Sequence, residues 1–394
     1  MRFPLLLSLA GLALLALIAP TAGTAAKSGK PKKKKDAEVT VMTRNLYLGA
    51  DLSPAINASS IGGAIDAAGT ILNDVDLSNF PERSKLLAAE IADAKPDFVG
   101  LQEVALWREQ TPSDYTATPA TQVRYDFLQL LQDQLKARGA NYDVAVVQEE
   151  FDQELPADTD HNDATGNGPL AGFGADLDGR LTMRDVILVR KSKSLKFKNP
   201  QMGHFENRYS VTLGGVVPIN VDRGWVSIDA QVKGNKKTRG AKFHFVNAHF
   251  EAFGDPKIRE AQAREMIAPG GPLDTSKQLV FVGDINSGSS ADHIGSPYPG
   301  DPNDPLAYNA LVNEGGLINL GMRQTCCYPD VFAPEIGSYR LDHTVDHVFV
   351  KPKIKQTDAY VTGDDPTVTG AGGVVASDHG GLVSELKFKK AKKK

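Results

Sequence analysis

The chain has 394 residues, 41% hydrophobic and 23% charged, a globular composition that argues against a wholly disordered chain or a multi-span membrane protein. Its net charge of −4 hides an asymmetry: 13 of the 44 basic residues lie near the two ends, leaving 31 basic against 48 acidic residues over 36–386, a formal −17. An acidic body is not the usual footprint of a duplex-binding protein, whose Lys and Arg line the docking face, and bound divalent cations would offset part of the deficit.

Arg2 precedes an apolar run over 5–18, then Pro20 and small residues to Ala26. The pattern predicts a secretory signal peptide over 1–26, cleaved after Ala25 or Ala26, and hence an extracellular protein. The run is shorter than the roughly 20 residues a bilayer span needs, though an uncleaved anchor is the alternative. Residues 27–36 read as a lysine-rich disordered arm, 37–388 as one domain and 389–394 as a basic tail. The arms suit anionic polymer or lipid headgroups, or serve as solubilising tails.

Strands are expected over 39–44 and 97–102, with a helix over 80–94 between them, opened by Pro81 and stopped by Lys95-Pro96. A second helix is expected over 124–138, a strand over 142–148, and a long Asp-, Gly- and Asn-rich loop over 152–180. Strands follow over 183–190, 224–232 and 242–248. Asp255 caps a helix ending near Pro269. A strand over 279–283, a helix over 305–314, and strands over 345–350 and 381–387 complete the chain. Residues 51–79 and 108–122 read as insertions. Several strands follow one another directly, which predicts a two-sheet α/β sandwich rather than a strict βαβ barrel.

The only cysteines, Cys326 and Cys327, are adjacent. Trans neighbours sit about 3.8 Å apart at Cα, below the usual disulfide range. A mutual bond across a trans peptide would therefore be strained, and zinc is not expected, because no second ligand pair has suitable spacing. Asp158, Asp160 and Asn162 open like a calcium loop, but Asp163 stands where its turn Gly should be and Pro169 where its Glu should be.

Polar residues close or open the strands throughout: Thr43-Arg44-Asn45, Gln102-Glu103, Asn247 with His249, Asp284 with Asn286, Asp346-His347, and Ser377-Asp378-His379. Each alone reads as a turn or cap residue. Together they supply carboxylate, amide and imidazole at strand ends, where ligands gather in layered α/β folds.

The runs TRN (43–45), DFVGLQEV (97–104), NAHFEA (247–252), VGDIN (282–286), VDHVFV (345–350) and SDHGGLV (377–383) resemble, in order, the motifs of the endonuclease/exonuclease/phosphatase superfamily. The resemblance implies a two-sheet α/β sandwich of the DNase I-like type, with helices on the outer faces. It also implies metal-dependent hydrolysis of phosphoesters. Glu103 matches the metal-binding glutamate, with Asn45 and Asp378 assisting. Mg²⁺ is the implied cation, with Mn²⁺ or Ca²⁺ as alternatives. Asp284 matches the group holding the attacking water, and Asn286 and His249 match donors to the phosphate. His379 matches the histidine facing the scissile phosphorus, and Asp346 the acid orienting it. The run Leu341-Asp342-His343 competes with Asp346, which is preferred because an apolar strand follows it directly.

The family acts on nucleic acids, sphingomyelin, inositol phosphates and other esters, so substrate stays open between a nuclease-type phosphodiester and a lipid headgroup. This chain shows no mid-chain tyrosine match, basic stripe or long aromatic hairpin. Its partners are therefore expected to be a phosphoester, nucleic acid among the candidates, and an anionic surface through the lysines, with the chain a monomer. A non-catalytic surface-binding module is the alternative. Arg184-Asp185, Arg223 and Arg259 with Gln262 read as packing or helix-surface pairing.

Overall fold

The computed structural model describes residues 34–162, 172–289, 305–328, 331, 340–351 and 353–389. The expected signal peptide, nearly all of the lysine arm and the tail beyond Lys389 lie outside them, as do Asp163 and Pro169 of the calcium-like run.

Strand β1 (Ala37–Asn45) opens the fold. Its side chains alternate: Val39 and Val41 enter one core and Met42 the opposite one, the period of two that a buried strand requires. Helices α1 (Ser53–Ile56), α2 (Ile61–Leu77) and α3 (Phe80–Ala94) carry the chain to β2 (Phe98–Gln102), parallel to β1. A parallel return needs such a crossover. Strands β3 (Leu106–Gln110) and β4 (Gln122–Asp126), helix α4 (Phe127–Ala137), and strands β5 (Tyr142–Ala157) and β6 (Leu177–Arg190) follow.

Next come β7 (Leu195–His204), β8 (Tyr209–Leu213), β9 (Val217–Val221), β10 (Gly224–Val232) and β11 (Ala241–His249). Helix α5 (Lys257–Ile267) crosses to β12 (Gln278–Asp284), parallel to β11. Helix α6 (Leu306–Asn309) runs into a π-helical turn, Ala310–Glu314. Strands β13 (Ile318–Asn319), β14 (Asp346–Val350), β15 (Ile354–Thr362) and β16 (Gly381–Phe388) finish the unit.

One sheet runs β15-β16-β1-β2-β6-β3-β4, with β5 on the other edge of β6, and a second runs β13-β14-β12-β11-β10-β7. Val41, Phe98 and Ile187 of the first meet Val226, Phe245 and Val282 of the second in a central core. On the first sheet's outer face Ile71, Leu87, Ile91 and Leu131 of the helices pack over Val99 and Leu188. On the second, Ala263, Met266 and Leu311 cover Ala248 and Phe281. The result is the expected two-sheet α/β sandwich with helices outside. Each fully buried Phe or Leu contributes about 1.5–3 kcal/mol.

Two local expectations need correction. The loop set at 152–180 is shorter, because β5 continues to Ala157 and β6 starts at Leu177, paired with each other along that extension. The helix expected from Arg124 begins after Asp126, whose Oδ1 accepts from the Leu128 and Gln129 amides. Residues 122–126 instead pair with β3. The insertion at 51–79 is largely helical, with Ser60 Oγ capping α2 through the Gly63 amide. Arg259 and Gln262 are buried, which is the packing alternative of their reading. Gln262 Oε1 accepts from the Glu251 amide at 2.9 Å, and its Nε2 donates to the Asn207 carbonyl at 2.8 Å.

Candidate active site

Strand register alone brings the polar ends together. Gly224, His249, Asp284 and Asp346 stand in one row across β10, β11, β12 and β14. In the other sheet Asn45 is level with Gln102, one residue before Glu103, and Thr43 with Leu382, close after His379. Parallel neighbours end, and their antiparallel partners begin, at the same rim.

Backbone geometry delivers the side chains. Glu103 and Asn286 adopt left-handed conformations, φ +54° and +48°, uncommon for residues with a Cβ and concentrated at functional sites. Gly100 and Gly283 permit close approach: a Cβ at Gly100 would stand 2.5 Å from Asn247 Oδ1, and one at Gly283 2.2 Å from the Ala248 carbonyl.

Asp284 is the hub. Its Oδ2 accepts from Asn45 Nδ2 at 3.0 Å, and its Oδ1 from the Asn286 amide at 2.9 Å. His249 Nε2 lies 3.6 Å and His379 Nε2 3.8 Å from the same Oδ2. Burial, reinforced by the charge of Asp346, pushes the Asp284 carboxyl up to about 7. Asp346 Oδ2 accepts a hydrogen bond from His379 Nδ1 at 2.8 Å. Burial works against charge on His379, but Asp346 and Asp378 outweigh it and hold the imidazole well above its ordinary value. Asp342 instead engages His343, Nδ1 to Oδ1 at 2.5 Å.

His249 goes the other way. Burial, then the charges of Arg223 and His379, lower it well below its usual value. Arg223 Nη1 lies 3.0 Å from His249 Nδ1. Arginine only donates, so Nδ1 is the acceptor and the ring proton sits on Nε2. Asn286 Nδ2 donates to the Phe250 carbonyl at 2.9 Å, so its 3.3 Å approach to His249 Nε2 sets two donors side by side. Glu103 Oε2 accepts from the Leu48 amide at 2.7 Å, while Oε1 lies 4.0 Å from His249 Nε2. Burial raises Asp378 to about 6, with Glu103 adding to the shift.

All eight residues that the resemblance assigned to the site thus gather at one rim. Others there were read in the sequence only as packing, as Arg223 was, or as motif residues without a role, as Asn247 and Arg44 were. Arg223 is buried between His249 and Glu251, 3.6 Å from the Glu251 carboxylate, and its charge also acts on Glu150 and Asp185. Burial pushes both carboxyls well up. Asn247 donates to the Leu101 carbonyl at 3.0 Å and accepts from Gln102, clasping the two sheets behind the site. Arg44 donates to the His379 carbonyl and to Glu90, and Arg83 to the carbonyls of Leu46, Tyr47 and Ala376. These two buried arginines hold the loops that carry Asn45 and His379. Arg184 is structural, reaching the Val104 carbonyl at 2.9 Å and Asp126 at 2.6 Å.

Cys326 and Cys327 lie beside this cluster. The trans spacing does not hold: the peptide between them is cis and their sulfurs are paired. Both sulfurs are 3.7 Å from His379 Nε2.

No protein-family model matches the chain, and no curated protein matches its sequence. Solved structures do. An endonuclease/exonuclease/phosphatase family protein from Bacteroides thetaiotaomicron is 17% identical, over 90% of this chain and 100% of that one, with a TM-score of 0.49. A second, from Beutenbergia cavernae, is 19% identical over 90% of this chain and 72% of that one, TM-score 0.49. A mannosyl-6-phosphatase from B. thetaiotaomicron is 16% identical over 89% and 100%, TM-score 0.47.

Proposed function

We propose that this chain is a divalent-cation-dependent phosphoesterase of the endonuclease/exonuclease/phosphatase type. The observation that carries the reading is the convergence on Asp284 Oδ2 of Asn45, His249 and His379, contributed by both sheets. A binding module has no need of a base flanked by one neutral and one charged imidazole.

Glu103, Asn45 and Asp378 would hold the cation. The donors are hard oxygens, which suits Mg²⁺, and a carboxyl raised by burial beside Glu103 is one a cation would keep ionised. Asp284, Asp346 and His379 also place donor atoms within 4.8 Å of one another, and in this reading they carry the proton-transfer and charge roles instead. When bound, the cation would neutralise charge developing on the phosphoryl oxygens.

The chain's own groups do the rest. Asp284, positioned through both oxygens, takes the proton of a water attacking phosphorus in line. A phosphorus–oxygen bond forms as the ester bond breaks opposite it. His249 donates through Nε2–H to a phosphoryl oxygen, and Asn286 lies beside it as a second donor. Charged His379 stabilises the growing negative charge. Extracellular action is part of the proposal, supported by the signal-like start of the chain and by paired sulfurs, which suit an oxidising compartment.

The test is hydrolysis of bis-(p-nitrophenyl) phosphate with Mg²⁺, with and without chelator. No chelator-sensitive turnover on this ester or on nucleic acid, lipid and sugar phosphates would refute the reading.

A second observation bears on substrate. A cavity of about 80 Å³ lined by Trp107, Phe151, Leu181, Val221 and Phe253 also includes Arg223, the neighbour of His249. A space that small admits only a short apolar group, so this reading extends to esters with a small alkyl arm. Comparing kcat/KM for short- and long-chain alkyl phosphodiesters decides this.

A further inference from the structure

Cys326, Cys327 and His343 stand together beside the proposed site without being used by it. Cys327 Sγ is 3.9 Å from His343 Nε2. The three donor atoms lie within 4.8 Å of one another. Tetrahedral zinc, with bonds of about 2.3 Å to sulfur and about 2.0 Å to nitrogen, places its S and N ligands about 3.6 Å apart. The Cys327–His343 separation is close to that edge, and the two sulfurs, in bonding contact while paired, must part to about 3.8 Å on reduction to occupy two corners.

The surroundings are those of a built site. His343 is buried, and its Nδ1 is held by Asp342 Oδ1 at 2.5 Å, turning Nε2 toward the sulfurs. A carboxylate behind the distal nitrogen is the usual support for a ligating histidine. The backbone fixes the pair as well: the Cys326 amide donates to the His343 carbonyl at 3.1 Å, and the His343 amide returns to the Cys326 carbonyl at 3.1 Å. His379 Nε2, 3.7 Å from both sulfurs, is placed as a fourth donor.

We propose that Cys326, Cys327 and His343 form a redox-gated site for a thiophilic divalent cation of the zinc or cadmium class, and that filling it recruits His379 and stops hydrolysis. With the sulfurs paired there is no thiolate to ligate, and the site is closed. Reduction adds two electrons and two protons to the disulfide. With a phosphine reductant, the phosphine takes oxygen from water and becomes the phosphine oxide. The cation then displaces both thiol protons and the Nε2 proton of His379. The binding claim stands by itself; the loss of hydrolysis rests on the phosphoesterase reading.

The experiment titrates Cd²⁺ into the full chain, with Mg²⁺ in excess to occupy hard-oxygen sites, before and after phosphine treatment. Cadmium–thiolate charge-transfer absorbance is read alongside phosphodiester turnover. The reduced protein is expected to show this absorbance saturating at one equivalent, with turnover falling at least about tenfold. The untreated protein and Cys326→Ser/Cys327→Ser should show neither change, and His343→Ala should weaken binding at least about tenfold with its circular dichroism intact. Absorbance of equal size in the untreated protein overturns the gating. Its absence from reduced protein with two titratable thiols, or unchanged affinity in His343→Ala, overturns the site. Cadmium absorbance with no parent turnover on any ester would sink the phosphoesterase reading while leaving the metal site standing.

Discussion

Asp346 Oδ2 lies 2.8 Å from His379 Nδ1, and the two come from different sheets: Asp346 begins β14 of one, whereas His379 lies two residues before β16 of the other. The contact therefore closes the rim of the sandwich and keeps His379 charged. Asp346→Asn removes the charge and keeps the shape. His379 should then lose its proton at lower pH, moving the alkaline limb of the kcat/KM profile down, with a rate loss of about tenfold or more at neutral pH. An unshifted alkaline limb would remove Asp346 from this role.

Asp284 must be ionised to accept a proton. Burial holds it at about 7 in the cation-free protein, so kcat/KM should fall as pH drops through the neutral range, and at lower pH the more tightly the cation binds. Asp284→Asn should cost about 10²–10⁴-fold in kcat at pH 8. A flat rate from about pH 5 to 9 contradicts the assignment.

The same shift predicts a stability profile. Asp284 and Asp378 have folded values of about 7 and about 6, above those of free carboxyls. Their contribution is therefore complete below the unfolded value and is lost as pH rises through the folded ones. In chelator, the melting temperature contributed by these groups should decline from about pH 4 to 7. Asp284→Asn should melt above the parent at pH 8, with the gap closing toward pH 5; Mg²⁺ should stabilise the parent more than the variant.

Glu103→Ala should abolish most turnover and weaken Mg²⁺ binding by calorimetry while leaving the far-ultraviolet circular dichroism unchanged. A rate within about threefold of the parent, under 1 kcal/mol in barrier, would remove Glu103 from the site.

Arg223 is buried, with the carboxylates of Glu251, Glu150 and Asp185 around it. Arg223→Met leaves them uncompensated and should destabilise the fold by about 3–5 kcal/mol in denaturant unfolding. Arg223→Lys should recover stability in part, but without the fork that reaches both His249 and Glu251.

Much of this protein was readable in the order of its residues. Alternation in β1 and the apolar run in β2, Pro81 opening α3, and acids, amides and imidazoles at strand ends are local signals, set by backbone periodicity and by which residues end an element. They sufficed for the layered fold, and the resemblance of the ordered motifs picked out the eight rim residues. Pairing partners were not local. That β5 extends along β6 depends on a neighbour more than 20 residues away, and the helix first drawn from Arg124 lost its start to β3. Nor could the sequence show Arg223 buried under His249, Asn247 locked to Gln102, or Cys326 and Cys327 against His379. Burial of charge and contact across sheets arise only when distant strands pack, because the cost of desolvation and its compensation are properties of the assembled interior.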